Sequence, residues 1–147
     1  MKAVLISISP LWTAPILDGS KTLEIRKNCP KMATPFMVYI YETKGGGGRG
    51  QVVAEFTCDN IKCFDVPYPA YPAFQTTLDP EILKASRVTY YALHRYAYHD
   101  SLYGWHITGL KVYGTPMELS KFVCRKPLKH PPQSWCYVAA LGKEQEK

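Results

Sequence analysis

The segment GSKTLEIR, residues 19–26, decides how the rest of the chain is interpreted. Side chains of a strand alternate between its two faces, so the two apolar residues share one face and Glu24 and Arg26 share the other. Lys21 can join that charged pair only if it lies in a turn or bulge before the strand. Two interpretations stay open: an anion-binding or proton-transfer site at a strand entrance, or an exposed strand face whose ion pair contributes little stability.

The spacing Gly-x-Lys-x-x-Glu-x-Arg, filled by Gly19, Lys21, Glu24 and Arg26, resembles the signature of the ASCH domain, a PUA-like family. Other stretches are similar to parts of that family and occur in the same order: SPLWTAPILD at 9–18, VAEFTC at 53–58, LYGWHI at 102–107 and PPQSWCYV at 131–138. Together these blocks cover most of the chain, and they resemble small phage- or bacterial-type members of the family.

The resemblance implies an α+β fold, namely a PUA-like β-barrel of about five to seven strands with about two to four short flanking helices. It also implies RNA or nucleotide ligands in a cleft beside the motif. A few relatives are enzymes, one type removing an acyl group from N4-acetylcytidine and another cleaving RNA. The first type carries Lys-x-x-Thr here, whereas this chain has Glu24 in place of that threonine and Thr22 directly after Lys21. The same acyl-transfer route is therefore not implied for this chain.

Length and composition indicate one domain over residues 1–147, with residues 142–147 as a frayed tail. Hydrophobic residues make up 46% of the chain and charged residues 20%, which is typical of a globular protein. The formal net charge of +6 favours an anionic partner, with RNA or a nucleotide first and a membrane surface second. Because such a charge also serves solubility alone, it does not decide the partner.

The start of the chain and its cysteines predict a cytoplasmic protein. The apolar run at residues 3–8 is too short for a secretory signal, and no run approaches the ~20 residues of a membrane helix. The five cysteines are then expected to be reduced thiols. The spacing of Cys124, His130 and Cys136 is looser than in structural zinc sites, so we expect neither a metal nor a cofactor.

Periodicity and turn residues predict strands at residues 3–8, 23–26, 36–41, 51–64, 102–107, 110–116 and 131–138. Helices are expected between Pro10 and Gly19 and at residues 78–85 and 89–97. The glycine-rich stretch 45–50 is predicted to be a flexible hairpin tip. The Pro/Tyr stretch 67–72 is interpreted as a lid beside the cleft or as a ligand for a partner protein.

Candidate ligand-binding residues combine cations, which hold phosphates, with aromatic side chains, which stack on bases. We expect Lys21 and Arg26 to hold phosphate, and Glu24 to orient Arg26 or to accept hydrogen bonds from a base. The other candidates are Trp12, Glu55, Tyr103, Trp105, Arg125 and Lys126. Each has a plainer interpretation, as a core aromatic residue or as a solvated charge.

Candidate catalytic residues are Lys21, Glu24, Thr22 and His106. In a metal-independent hydrolase acting on RNA or a modified nucleoside, Lys21 would activate a nucleophile or stabilise an oxyanion, and Glu24 would act as base. Histidine titrates near neutral pH, so His106 would act as acid or base if it faced the cleft. The sequence leaves open RNA or nucleotide binding, such a hydrolase, and a protein-interaction domain working through the Pro/Tyr stretch.

Overall fold

Eight strands, three α-helices and a 3₁₀ helix at Leu119–Lys121 make up residues 1–67 and 78–142, which the computed structural model describes. The strands are β1 (Lys2–Ile8), β2 (Leu23–Arg26), β3 (Phe36–Glu42), β4 (Gln51–Phe64), β5 (Leu102–Met117), β6 (Val123–Cys124), β7 (Lys126–Pro127) and β8 (Trp135–Ala139). The helices are α1 (Pro10–Leu17), α2 (Pro80–Ser86) and α3 (Tyr90–Ala97). The predicted Pro/Tyr lid and frayed tail lie almost entirely outside the described residues.

Six of the strands form one mixed sheet in the order β2-β5-β4-β3-β1-β8. β1 runs parallel to β3, whereas the other neighbouring strands of the sheet are antiparallel. Because β1 and β3 are parallel, their carboxyl ends lie side by side, with Ile8 opposite Glu42. β6 and β7 form a separate small hairpin.

The fold is α+β as expected, but its six-stranded sheet is not closed into the predicted barrel. Its edges are β2 and β8, and no backbone ladder joins these two strands among the described residues. Closure needs matched ladders on both edges, and β2 contributes only four residues. Side chains span the gap instead, because Arg26 Nη1 donates to Ser134 Oγ at 3.1 Å and Trp135 Nε1 donates to Asn28 Oδ1 at 2.7 Å.

Apolar side chains cover both faces of the sheet, because successive residues of β1 point to opposite faces. The main core cluster, on one face, includes Val4, Ile6, Phe36, Val38, Phe56 and Trp105. A second cluster on the other face includes Leu5, Tyr39, Tyr113 and Phe122. A third cluster packs Leu23 and Ile25 of β2 against Ile82, Leu93 and Ala97, which holds α2 and α3 beside the motif strand.

The helices α2 and α3 each begin at a capping residue. Asp79 accepts the backbone N–H of Glu81 at 3.0 Å, and the Thr89 hydroxyl accepts that of Ala92 at 3.2 Å. Ser9 precedes α1 but makes no side-chain capping bond. In the described ranges, none of the helices has the length and apolar character that crossing a membrane requires.

The glycine-rich stretch joins β3 to β4 as a hairpin connection, but it is fixed at its base. The buried Glu42 carboxylate accepts hydrogen bonds from the backbone N–H of Arg49 at 2.9 Å and from the hydroxyl of Thr13 on α1. Gly48 has no room for a side chain, since a Cβ there would lie 1.6 Å from the Thr43 carbonyl oxygen. The loop is therefore tied to α1, unlike the free tip that its composition predicted.

Candidate functional site

A turn after α1 brings Lys21 to the entrance of β2. Gly19 adopts the left-handed φ of +86°, which glycine tolerates, and the Asp18 carboxylate accepts the backbone N–H of Ser20 at 2.8 Å. The Lys21 N–H donates to the Pro15 carbonyl oxygen at 2.9 Å, which folds the turn back against α1. The Lys21 side chain thereby reaches the charged face of β2 from the turn.

Lys21, Glu24 and Arg26 form one connected group, which we call the charged triad. Lys21 Nζ lies 3.4 Å from Glu24 Oε1 and donates to the Ser86 carbonyl oxygen at 2.6 Å. Glu24 Oε2 accepts from Arg26 Nε at 3.0 Å and from Nη2 at 2.8 Å. Lys21 Nζ also lies 5.0 Å from the ring centroid of Trp12, which is a cation–π distance.

Arg26 also connects the charged triad to the far edge of the sheet. Its Nη2 donates to the Ser7 carbonyl oxygen at 2.8 Å, and its Nη1 donates to Ser134 Oγ at 3.1 Å. A guanidinium has five N–H donors, so these contacts and those to Glu24 leave one donor on Nη1 for a further acceptor. Arg26 thus bridges the gap between the two edges of the sheet and keeps one N–H donor for a further acceptor.

A cavity of about 400 Å³ opens on the charged triad. It is lined by Ser7, Ile8, Ser9, Trp12, Lys21, Glu24, Ile25, Arg26, Val88, Ala92, Leu93 and Tyr96. These residues come from the end of β1, from α1, from the motif strand and from α3. We call this the triad cavity, and its size lies within the range of small-ligand sites.

The charged triad is almost fully shielded from solvent. Lys21 is 2% exposed and Glu24 is 6% exposed. Burial lowers the pKa of Lys21, and the Glu24 carboxylate opposes this by favouring the charged amine. With all three groups ionised, two cations and one carboxylate give a formal charge of +1. The site can therefore attract an anion, and a neutral Lys21 could also accept a proton.

Of the three aromatic candidates, Trp12 alone lines the triad cavity. Trp105 is 0% exposed and packs edge-on against Phe36 at 6.0 Å between ring centroids, so its predicted stacking on a ligand is wrong. Tyr103 is half-buried against the main core cluster and does not line the cavity, so its predicted stacking there is wrong too. The face that Tyr103 and Trp105 share is turned toward the core.

Glu55 does not belong to the site, contrary to its prediction as a ligand-binding residue. It is buried and accepts a hydrogen bond from the Tyr113 hydroxyl at 2.8 Å, within the described core. The register of β4 against β5 shifts between Val52 and Ala54 and again between Glu55 and Thr57. Glu55 lies opposite Tyr39 of the second core cluster, whereas its neighbours Ala54 and Phe56 belong to the main cluster. The predicted alternation therefore holds, and Glu55 is buried because both faces of the sheet are covered.

His106 and Thr22, both predicted as catalytic candidates, lie outside the triad cavity. His106 is half-buried and its Nδ1 lies 2.6 Å from Asp59 Oδ1, a hydrogen bond that lowers the pKa of Asp59. Thr22 is half-buried, and its N–H donates to the Ala85 carbonyl oxygen at 2.8 Å. Neither side chain lines the cavity that opens on the charged triad, so the structure gives no support to the catalytic role predicted for either.

Arg125 and Lys126 are exposed on the hairpin of β6 and β7 and do not line the triad cavity. Arg125 occupies the turn with a φ of +64°. As surface cations they are suited to sequence-independent contacts with phosphates, and this role stays a prediction.

Sequence analysis missed several residues that contact the triad or line its cavity. Tyr96 follows Ala92 by one helical turn of α3, and both line the cavity, so helical spacing was the available signal. Ser134 lies within the PPQSWCYV block but gave no sign of its contact with Arg26. Ser7 and Ser86 contact Arg26 and Lys21 through their backbone carbonyl groups, and side-chain patterns in a sequence cannot predict such contacts.

No set of three or more His, Cys, Asp or Glu side chains in residues 1–67 and 78–142 is arranged to hold a metal ion. All five cysteines are free thiols, and burial raises the pKa of Cys58 to about 11.

Comparison with known proteins relates the fold to the ASCH domain. No protein-family model and no curated protein matches the sequence. Three crystal structures of the ASCH protein from Zymomonas mobilis are similar. A serine-to-alanine variant has a TM-score of 0.72 and 20% identity, covering 97% of this chain and 90% of that one. A tyrosine-to-phenylalanine variant has a TM-score of 0.69 and 19% identity over 99% and 94%.

The third structure, that of the ASCH protein itself, has a TM-score of 0.65 and 18% identity over 97% of this chain and 90% of that one. This chain therefore has the same fold as these ASCH structures. The resemblance drawn from the sequence blocks is confirmed at the level of the fold.

Proposed function

We propose that this protein is an ASCH-domain protein that binds RNA or a nucleotide, with one nucleotide seated in the triad cavity. The observation that carries the proposal is the charged triad itself, where two buried cations share one carboxylate on a cavity wall. Burying three charged groups is costly, and such groups are often retained for function.

The charge of the triad suits a phosphate group. A formal charge of +1 complements a phosphodiester, which carries one negative charge, and poor access of water strengthens the attraction. Glu24 fixes the plane of the Arg26 guanidinium, so that its remaining Nη1 donor is already oriented toward a ligand. Contacts of this kind give both affinity and orientation.

Aromatic residues of the cavity suit a base. Trp12 lies on α1 beside Lys21, and Tyr96 lies on α3 beside the charged strand. Stacking of a base on such a ring contributes about 1–3 kcal/mol in single-stranded nucleic acid complexes. A cavity of about 400 Å³ is closer to the volume of a single nucleoside than to that of folded RNA.

The first test is the substitution Lys21→Met, measured by titration calorimetry with nucleoside monophosphates and a hexameric single-stranded RNA. The Glu24–Arg26 pair remains intact in this variant, so we expect it to fold. Losing one charge-assisted contact of about 1.5–3 kcal/mol should weaken nucleotide binding by roughly 10- to 100-fold. Lys111→Met removes the same charge at an exposed position outside the cavity and should leave nucleotide affinity unchanged. Equal affinities for the wild type and Lys21→Met would refute the proposal.

A second candidate function is hydrolysis of RNA or of a modified nucleoside, favoured by the lowered pKa of Lys21 beside a carboxylate. On RNA, the neutral amine would accept the proton of a ribose 2′-hydroxyl as its oxygen attacks phosphorus, and the 5′-oxygen would leave with a proton from solvent, giving a 2′,3′-cyclic phosphate and a free 5′-hydroxyl. On N4-acetylcytidine, Lys21 or Glu24 would accept a proton from an attacking water and return it to N4 as the amide C–N bond breaks, releasing acetate and cytidine. A threonine nucleophile is not supported, because Thr22 does not line the cavity.

The pH dependence separates the two candidate functions. If Lys21 acts as a base, kcat/KM rises with pH through its lowered pKa and then levels off, since deprotonation creates the active form. If Lys21 acts only as a cation, nucleotide affinity falls over the same pH range and no product forms. Product analysis with N4-acetylcytidine and with RNA, repeated for Lys21→Met, decides this. Turnover that persists in Lys21→Met would exclude Lys21 as the base.

A further inference from the structure

A second cavity of about 590 Å³ lies next to the triad cavity and plays no part in the function proposed so far. Its polar lining comes from two separate parts of the chain, the β3–β4 loop and the segments on either side of β6 and β7. These lining residues include Thr43, Lys44, Glu118, Ser120, Lys129 and His130. We call it the basic cavity.

A backbone hydrogen bond and a short chain segment relate the two cavities. Thr43, in the basic cavity, donates its N–H at 2.9 Å to the carbonyl oxygen of Ile8, in the triad cavity. The chain then runs from Pro131, in the basic cavity, to Ser134, which binds Arg26. These three residue steps span at most about 11 Å. That distance is the stacked length of about three nucleotides, at about 3.4 Å each.

Both cavities lie beside the carboxyl ends of the parallel strands β1 and β3. Ile8 ends β1, and Thr43 directly follows β3. Ligands of sheets with parallel strands bind preferentially outside such ends. One extended ligand could therefore contact both cavities without crossing the sheet.

The charges of the basic cavity favour phosphates. Lys44, Lys129 and His130 are all exposed, so they can meet a solvated ligand. The opposing carboxylate is Glu118, which already accepts a hydrogen bond from Gln51 Nε2 at 2.7 Å. The sum is +1 with a neutral histidine and +2 with a protonated one. The hydroxyls of Thr43 and Ser120 supply further donors.

Lys44 is held on a defined path by its loop. A Cβ at Gly50, which has a φ of +66°, would lie 2.6 Å from Lys44 Cε, so the lysine side chain passes over the space that this glycine leaves free. The same loop is fixed to Glu42 through the N–H of Arg49. Lys44 is thus presented to the basic cavity by an anchored loop.

We propose that the basic cavity is a phosphate-binding subsite for the single RNA strand that continues from the triad cavity. This inference rests on the proposed function, because the triad cavity must hold the first nucleotide. It makes the protein's ligand an oligonucleotide rather than a free mononucleotide.

The test uses the double substitution Lys44→Ser and Lys129→Ser, with binding of a nucleoside monophosphate and a hexameric single-stranded RNA measured at several salt concentrations. In the wild type we expect the hexamer to bind at least tenfold more tightly. In the double variant the hexamer affinity should fall about tenfold, and the slope of log K against log salt should shrink by about 1.4. Monophosphate affinity should change less than twofold.

The matched control is Lys84→Ser with Lys111→Ser, which removes the same charge from exposed positions of α2 and β5 outside both cavities. We expect its hexamer affinity to stay within about threefold of wild type. Equal losses in the two double variants would overturn the subsite, because binding would then follow net charge alone. A hexamer that binds no more tightly than the monophosphate would overturn it as well.

The two proposals can fail separately. If the monophosphate binds and depends on Lys21 but the hexamer gains nothing, the subsite fails and the triad cavity stands. If the monophosphate fails to bind while the hexamer depends on Lys44 and Lys129, the basic cavity is supported and the proposed nucleotide site fails. An acidic hexapeptide that binds as tightly as RNA, and equally depends on Lys44 and Lys129, would overturn the RNA assignment.

Discussion

Replacing Trp105 by alanine is expected to lower the free energy of unfolding by about 3–5 kcal/mol, the usual cost of truncating a large buried aromatic residue. Its ring is 0% exposed and meets Phe36 at 6.0 Å and Trp135 at 5.9 Å between centroids. Its Nε1 donates to the Asn28 carbonyl oxygen at 3.3 Å. Truncation would open a cavity where the main core cluster meets the edge strands.

Urea denaturation followed by circular dichroism measures this effect, since removal of a tryptophan alters fluorescence by itself. Trp105→Phe keeps a ring in place and should cost less than half as much as Trp105→Ala while retaining nucleotide affinity. Trp12→Ala should behave in the opposite way, with a small loss of stability and a marked loss of affinity, because Trp12 lines the triad cavity. A stable Trp105→Ala variant that lost only binding would contradict the structure.

The environments of Trp105 and Trp12 differ in how much of them the sequence could predict. Period 2 puts Trp105 on the same strand face as Tyr103 and Ile107, and all three pack in the main core cluster. It could not tell whether that face meets the core or a ligand, because that depends on the elements packed against it. Trp12 was placed beside the cleft because it lies within ten residues of Lys21 on a helix that leads into the motif.

The charged triad was predictable because it is local. The turn at Gly19 places Lys21 at the entrance of the four-residue strand β2, which carries Glu24 and Arg26. One short segment therefore fixes the relative positions of all three residues. Partners from afar were not predictable: Arg26 reaches Ser134 across 108 positions of sequence, and Lys21 reaches Ser86 across 65. Such contacts follow from the tertiary fold alone.

The predictions of a closed barrel and of a ligand-binding Glu55 were wrong for a related reason. Whether a sheet closes depends on the register between its first and last strands, which no local pattern encodes. Alternation correctly placed Glu55 on the strand face opposite Ala54 and Phe56. It could not show that this face is covered by the second core cluster, which includes Tyr39 and Tyr113.

Neutralising Glu24 by the substitution Glu24→Gln should be the most damaging change in the charged triad. The carboxylate pairs with Lys21 at 3.4 Å and with Arg26 at 2.8 Å, and the three side chains are only 1%, 7% and 14% exposed in the order Lys21, Glu24, Arg26. The glutamine leaves two buried cations without a counter-charge. Breaking a buried pair in this way costs about 3–5 kcal/mol, which we expect near neutral pH.

The size of this loss should depend on pH in a direction that the pKa of Lys21 fixes. Burial already lowers that pKa, and the Glu24 carboxylate opposes the shift, so its removal lowers the pKa further. Between the folded and unfolded pKa values of Lys21, the unfolded chain binds more protons, and stability therefore rises with pH. The deficit of Glu24→Gln should shrink as the pH increases through this range, because a neutral Lys21 no longer repels Arg26.

Urea denaturation of the wild type and Glu24→Gln across neutral to alkaline pH provides the measurement. Asp59→Asn is the matched control, because it neutralises a carboxylate in a pair with His106 whose side chains are 46% and 45% exposed to solvent. Solvent screens such pairs, so this exchange should alter stability little. A Glu24→Gln variant as stable as the wild type, or a deficit that does not change with pH, would mean that the triad's charges are already neutralised by other groups. In that case the cavity would lack the net positive charge on which binding of a phosphate depends.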